Sequence, residues 1–262
     1  MFITKRMHPF HMVDQSPWPL LAASCALGLA AGLINWFHHK NMMLLNMSLM
    51  TMSLIMFQWW RDTIREATFQ GKHTMKVVSG IKFGMILFIF SEVMFFFSFF
   101  WTYFHSSLSP TMEIGMVWPP TGIKMFNPMM IPLLNTLVLI TSGISVTWAH
   151  HSLMVDYKDV FKALMCTIFL GLFFTILQMM EYWEATFTIT DSVFGSIFYA
   201  TTGMHGMHVI IGTMFMIVCT LRVKMNHFTK SHHTGMELMI WYWHFVDVVW
   251  LFLYLTYYWW PS

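Results

Sequence analysis

Charged side chains are scarce in this chain of 262 residues. Asp, Glu, Lys and Arg together make up 10% of it, whereas 57% of its residues are hydrophobic. A soluble domain carries about a quarter of its residues as charged side chains, so this composition excludes an ordinary soluble protein. The formal net charge is only +2, and nothing in the charge pattern indicates a nucleic-acid partner.

Cysteine is equally sparse. Cys25, Cys166 and Cys219 stand singly in different apolar segments, with no CxxC spacing among them. This pattern excludes a disulfide framework and a thiolate metal site. The first twenty residues also lack the pattern of a secretory signal or of a transit peptide. If the chain functions in an organelle, we expect it to be synthesised there.

Long apolar runs dominate what is present. About 20 apolar residues in a helix span the hydrocarbon of a bilayer, and seven segments satisfy this requirement. They lie near 16–36, 41–60, 80–105, 129–150, 160–182, 192–221 and 235–259. The chain lacks the alternating ten-residue pattern of a membrane barrel. The sequence therefore predicts an all-α polytopic membrane protein, with residues 1–262 forming one domain of seven transmembrane helices.

The distribution of basic residues predicts the orientation. Lys and Arg accumulate on the side from which insertion proceeds. If the seven spans alternate, Lys40 and Lys124 fall on one side and the other twelve of the 14 basic residues fall on the side of the N-terminus. This asymmetry supports an odd number of spans, with the N-terminus inside and the C-terminus outside.

The end of the second span combines aromatic and charged residues. Residues 57–73 read FQWWRDTIREATFQGKH and place Arg61 and Arg65 one helical turn apart, followed by Lys72 and His73. An arginine fork matches a phosphate bidentately, so this segment is a candidate site for a lipid head group. An ordinary helix end with interfacial anchors and intrahelical ion pairs explains the same residues.

The sixth and seventh spans each contain a pair of polar residues three positions apart. His205 and His208 share one helix face, as do His244 and Asp247. Imidazoles at this spacing can ligate a metal or haem, but a site needs further ligands. Hydrogen bonding between helices, including donation from His244 to Asp247, is the favoured interpretation. Metal ligation stays the less favoured alternative until the resemblance given below, which implies no metal site in this chain.

Adjacent histidines also occur at the ends of spans, where water or head groups can satisfy them. These pairs are His38 with His39, His150 with His151, and His232 with His233.

Glu92 lies deep in the third span. Lys82 precedes it by ten residues, which places Glu92 about 15 Å deeper in a helix and near the middle of the hydrocarbon. A lone charged carboxylate at that depth is costly, so Glu92 is expected to be protonated, hydrogen-bonded or beside a cavity. The position is a functional candidate. Alternatively, Ser91 or a histidine of another helix makes it a structural hydrogen-bonding group.

Several long strings resemble one family from end to end and in order. They include HPFHMVDQSPWPL, FQWWRDTIREATFQGKHT, GMILFIFSEVMFFFSFFWTYFHSSL, TWAHHSLM, MHGMHVIIG and WYWHFVDVVWLFLYLTYYWW. The chain thereby resembles the subunit III family of mitochondrial cytochrome c oxidases. The resemblance implies a multi-pass protein of the mitochondrial inner membrane with its N-terminus in the matrix and its C-terminus in the intermembrane space.

The same resemblance implies an architecture and a lipid site. The helices of this family divide two plus five around a cleft filled with phospholipid. The positions linked there to phospholipid head groups correspond to Trp60, Arg65, Glu66, His73 and Arg222. The family packs against the catalytic subunit 1, and haem and copper are held by partner subunits, so this chain is expected to hold no cofactor besides phospholipid.

Glu92 corresponds to the reactive intramembrane carboxylate of the family, and is a candidate for a proton or oxygen pathway. His205, His208, His244 and Asp247 are not family metal ligands, which leaves them as structural polar groups.

The resemblance predicts a noncatalytic core subunit of the proton-pumping oxidase that reduces oxygen with electrons from cytochrome c. Two alternatives stay open. One is a free-standing proton-coupled transporter in which Glu92, the histidines and Asp247 form a relay. The other is the homologous subunit of a quinol oxidase, which the lack of additional N-terminal helices makes less favoured.

Overall fold

The regular structure of the chain is helical. The computed structural model describes residues 8–261. Within them the long helices are α1 Trp18–His39, α2 Met43–Thr68, α3 Met75–Leu108, α4 Ile131–Val155, α5 Val160–Glu184, α6 Ser192–Lys224 and α7 Thr234–Leu253. A π-helical turn over Tyr254–Trp259 continues α7, and a short 3₁₀ turn lies at Met112–Ile114. The prediction of an all-α polytopic protein is confirmed.

Six of the described helices are long and apolar enough to cross a membrane, α7 being counted with the turn that follows it. The helix outside this group is α2. Its apolar residues are interrupted by Asn46, Ser48, Thr51 and Ser53, whose hydroxyl and amide groups reduce its mean hydropathy. That α2 crosses the membrane, which makes the total seven spans, thus stays a prediction that rests on the resemblance and on the distribution of basic residues.

Two compact units divide the chain between Ile81 and Lys82. The first unit contains α1, α2 and the first turns of α3, and the second contains the rest of α3 and α4 to α7. The division therefore separates the first two helices from the other five over most of their length, as the resemblance predicts.

Close helix packing in the first unit depends on two glycines of α1. A Cβ atom at Gly32 would lie 2.8 Å from the backbone of Leu45, and one at Gly28 would lie 2.6 Å from the Ser48 hydroxyl. Both distances are shorter than a van der Waals contact. Small residues at a spacing of four let two membrane helices approach to backbone contact, and here they pack α1 against α2 as an antiparallel hairpin.

The second unit packs around Trp243 of α7. This side chain is fully buried, and its indole nitrogen donates to the Ser142 hydroxyl of α4 at 2.9 Å. Cβ atoms at Gly171 of α5 and Gly212 of α6 would each lie 2.9 Å from the indole ring. One tryptophan thus contacts α4, α5 and α6, and the two glycines make room for it.

The third helix contributes few side chains to this core. Among the described residues of α3, only Phe96, Tyr103 and Ser107 are buried. The proline-containing connection that follows packs back on this helix, since the Trp118 indole donates to the Tyr103 hydroxyl at 3.3 Å and its ring contacts Phe194. The face of α3 that carries Glu92 is thereby held beside α6 and α7.

Candidate functional site

Glu92 and His208 form an intramembrane pair. The third helix carries the carboxylate and the sixth carries the imidazole, and Glu92 Oε2 lies 2.9 Å from His208 Nε2. The Glu92 side chain is 22% exposed and that of His208 is 10% exposed. Of the two alternatives for the partner of Glu92, Ser91 and a histidine of another helix, the structure has the histidine, and part of the Glu92 side chain lies at the surface of the chain.

The hydrogen bonds of His208 restrict where its proton can lie. Its Nδ1 atom lies 2.7 Å from the Met204 carbonyl oxygen. A carbonyl only accepts, so Nδ1 carries a hydrogen and the neutral ring has a lone pair at Nε2. The pair therefore holds one further proton, either on Glu92, which then donates to Nε2, or on the imidazole, which then donates to the carboxylate.

Aromatic rings surround this shared proton. The His208 ring centroid lies 5.1 Å from that of Phe96 and 6.3 Å from those of Tyr242 and Phe245. Such apolar walls strengthen a hydrogen bond and disfavour separated charges. The arrangement is suited to exchanging a proton between two atoms, and it offers no second carboxylate for acid–base chemistry.

His205 makes a different contact from its neighbour on the same helix face. Its Nε2 atom lies 3.2 Å from the Val246 carbonyl oxygen of α7, and its buried ring packs between Phe174 and Trp250. His205 and His208 thus have separate partners and do not converge on one ligand. This geometry supports the structural interpretation of His205.

The predicted hydrogen bond between His244 and Asp247 is wrong. His244 Nδ1 lies 3.8 Å from Asp247 Oδ2, which is too long for a hydrogen bond. Asp247 instead points at α4, where a Cβ atom at Gly143 would lie 2.8 Å from Oδ2. The spacing of three residues puts both side chains on one face of α7, and both pack against Gly143 of α4, but the imidazole and the carboxylate do not come within hydrogen-bonding distance.

The predicted lipid-binding residues of α2 lie near one end of the first unit. Trp60 is 61% exposed, and Arg65 is exposed one helical turn further along. Arg61 pairs with Asp62, with its Nη2 atom 3.1 Å from the carboxylate, so its charge is already engaged within the helix. Arg65 is therefore the better candidate of the two for a phosphate.

The segment before α1 completes this surface, which the sequence did not predict. His11 Nε2 lies 3.0 Å from Glu66 Oε2, and the His11 ring meets the His73 ring edge-on at 5.6 Å between centroids. Lys72 pairs with Asp14. Glu66 at the end of α2 and His73 in the connection that follows it both contact His11. The histidines and the aspartate of the string HPFHMVD were the signal for this contact.

Trp18 fastens the start of α1 to the end of α2. Its indole nitrogen donates to Asp62 Oδ2 at 2.8 Å. This hydrogen bond lowers the pKa of the Asp62 carboxyl, and the Arg61 guanidinium lowers it further. Asp62 lies beyond the apolar part of α2, so the contact is exposed to aqueous pH.

Replacing Trp18 with Phe should weaken the first turn of α1 by about 0.5–1 kcal/mol, because one charge-assisted hydrogen bond is lost at a solvated position. Amide hydrogen exchange of residues 21–24, the first hydrogen-bonded amides of α1, should accelerate about two- to fivefold. The stabilising contribution is fully present above the ordinary carboxyl pKa of about 3.9 and disappears as the pH falls through the lowered pKa.

Trp59→Phe serves as the control for this substitution, since that ring is partly exposed on the same helix end. Unchanged exchange in Trp18→Phe at neutral pH would contradict the assignment.

Arg222 belongs to the second unit, whereas the other four predicted lipid-binding residues belong to the first. Its guanidinium carbon lies 4.3 Å from the centre of the Phe228 ring, and a Cβ atom at Gly235 would lie 2.5 Å from its Nη1 atom. Cation–π stacking and this glycine fix the side chain against the connection between α6 and α7. The predicted role of Arg222 in lipid binding rests on the resemblance.

These features define a polytopic α-helical membrane protein in which a glutamate and a histidine form a hydrogen bond between helices. Residues 8–262 match the family model described as Cytochrome c oxidase subunit III. The chain is 57% identical over 261 residues to cytochrome c oxidase subunit 3 of Mammuthus primigenius, and the match covers 99% of this chain and 100% of the relative.

Other relatives match over the same length. The subunit of Locusta migratoria is 57% identical over 263 residues, with 100% of both chains covered. That of Sus scrofa is 58% identical over 261 residues, with 99% of this chain and 100% of the relative covered. The chain therefore belongs to the cytochrome c oxidase subunit III family.

Proposed function

We propose that the chain is a supporting subunit of the oxidase, without a redox centre of its own. Membership of the family makes it a subunit of cytochrome c oxidase, which is an oxidoreductase complex. Its apolar helices fit a multi-pass protein of the mitochondrial inner membrane. Haem and copper are held by partner subunits in this proposal, and the chain packs against the catalytic subunit 1.

The single observation that carries the proposed role is the Glu92–His208 pair. It holds one movable proton between two helices, and the exposed part of Glu92 makes this proton accessible from the face of the chain. A group of this kind can assist proton delivery to a neighbouring subunit without any chemistry of its own. The alternative role predicted for Glu92 is to line a lipid-filled route for oxygen.

A relay through the other buried polar groups has less support. His205 is bonded to a backbone carbonyl, and His244 and Asp247 are separated by 3.8 Å. Because these groups do not connect to Glu92 and His208 by hydrogen bonds, the geometry favours a subunit over a free-standing transporter.

The direct test compares the purified complex with and without this chain. We expect electron transfer to continue after removal, while proton pumping and the lifetime of the enzyme during turnover decrease. Immediate loss of electron transfer together with release of haem or copper from this chain would disprove a supporting role.

The orientation proposed for the complex follows from the basic residues. Lys and Arg of the N-terminal side face the matrix, where anionic head groups attract them by about 1 kcal/mol each. The α2 end with Trp60, Arg65, Glu66 and His73 then lies at the matrix surface of the membrane, at the depth of phospholipid head groups.

Arg65→Ala should weaken phospholipid retention by about 10- to 150-fold, because a charge-assisted hydrogen bond to phosphate contributes about 1.5–3 kcal/mol. Assembly of the complex should be unaffected. Lipid mass spectrometry of the purified complex measures this effect. Arg61→Ala is the matched control, since Arg61 is engaged by Asp62. Equal phospholipid content in both variants would contradict the assignment.

A further inference from the structure

Three side chains with metal-ligating atoms meet where α4 ends and α7 begins. His150 lies near the end of α4, His233 immediately precedes α7, and Glu237 is in its first turn. One ligand atom from each lies within 4.8 Å of the others. The sequence predicted no metal site, because these residues are separated along the chain and each histidine belongs to a pair at a helix end.

The distances between these atoms match those around a tetrahedral metal. His150 Nε2 lies 3.4 Å from His233 Nε2, and His233 Nε2 lies 3.5 Å from Glu237 Oε1. Two ligands about 2.05 Å from a tetrahedral Zn²⁺ are separated by about 3.3 Å. The side chains therefore need only small shifts to accept the ion.

The hydrogen bond of His233 prepares its other nitrogen for a metal. Its Nδ1 atom lies 3.1 Å from the Thr229 carbonyl oxygen. Because the carbonyl accepts, Nδ1 is the protonated nitrogen and the lone pair of the neutral ring lies at Nε2, which faces His150. A backbone carbonyl behind a histidine ligand is the usual arrangement around protein-bound zinc.

The burial and charge of the cluster are compatible with an ion. The His233 side chain is 8% exposed and that of Glu237 is 21% exposed, so solvent can supply a fourth ligand. Lys82 pairs with the other oxygen of Glu237, Oε2. The lysine thus leaves Oε1 available and holds the carboxylate in place.

We propose that His150, His233 and Glu237 form a Zn²⁺ site that fastens the end of α4 to the start of α7. Two imidazoles and one carboxylate are a ligand set that zinc takes with an open position. The second cluster of this type, His11 with Glu66 and His73, coincides with the lipid surface described above and carries no separate proposal.

The test uses the intact oxidase containing this chain. The complex is treated with a chelator, dialysed against buffered ZnCl₂ and analysed for zinc per haem by mass spectrometry. Compared with the unmodified complex, His233→Ala and His150→Ala should each lack the zinc equivalent of this site. Binding of Zn²⁺ should also raise the temperature at which the chain is released from the unmodified complex.

The neighbouring histidines provide matched controls. His151→Ala and His232→Ala remove one imidazole from the same two helix ends without touching the cluster, and should keep the zinc equivalent. Haem content and turnover report whether each variant has assembled. Equal zinc content in assembled His233→Ala and unmodified complexes would overturn the proposal, as would equal losses in the ligand variants and the controls.

Discussion

Glu92→Ala is expected to destabilise the complex by about 1–3 kcal/mol, because it leaves His208 Nε2 without a partner between apolar rings. Glu92→Gln should cost less than about 0.5 kcal/mol, since an amide can donate to that nitrogen as a protonated carboxyl does. Both variants should lower proton pumping, because neither side chain exchanges a proton. Thermal release of the chain from the complex measures stability, and pH changes in reconstituted vesicles measure pumping.

The comparison of the two substitutions tests where the proton lies. If Glu92→Gln is as destabilising as Glu92→Ala, the proton lies on the imidazole and the pair is an imidazolium with a carboxylate; if Glu92→Gln costs less, the proton lies on Glu92. Ser91→Ala is the control, since the Ser91 hydroxyl bonds only to the Phe88 carbonyl of its own helix. Unchanged pumping in Glu92→Gln would remove the pair from the proton pathway.

Trp243→Ala is expected to have the largest effect on stability, about 3–5 kcal/mol, because it opens a cavity among α4, α5, α6 and α7. Trp243→Phe should be less damaging, since an aromatic ring still fills most of the space between Gly171 and Gly212. Thermal unfolding of the purified complex measures both.

The control for the core substitution is Trp183→Ala at the end of α5, where the side chain is 91% exposed. We expect a change within about 0.5 kcal/mol there. A similar loss of stability in Trp183→Ala and Trp243→Ala would show that the second unit is not organised around the buried ring.

The helices were predictable because membrane insertion imposes a length and a composition that can be read residue by residue. The predicted spans 160–182 and 192–221 lie within α5 and α6. The larger departures are at helix ends such as that of α2, which continues to Thr68 beyond its apolar run. The charged residues at this end of α2 continue its backbone hydrogen bonds outside the hydrocarbon. The end of an apolar run therefore does not mark the end of the helix.

The site was only partly predictable. Depth along α3 identified Glu92 as an intramembrane group, since depth follows from counting residues after Lys82. The sequence did not decide whether Ser91 or a histidine of another helix is the hydrogen-bond partner of Glu92, because the packing of the helices selects that partner. The predicted hydrogen bond between His244 and Asp247 was wrong for the same reason: both side chains pack against Gly143 of α4, which is distant in sequence.

The sequence by itself determined the class of the protein, its helices and the resemblance to its family, because apolar length and residue order are local properties of the chain. The tertiary structure alone decided which polar groups meet. It paired Glu92 with His208, joined His11 to Glu66, and brought His150 to His233 and Glu237. Such contacts depend on the rotation and approach of helices far apart in sequence, and residue spacing within one helix carries no information about either.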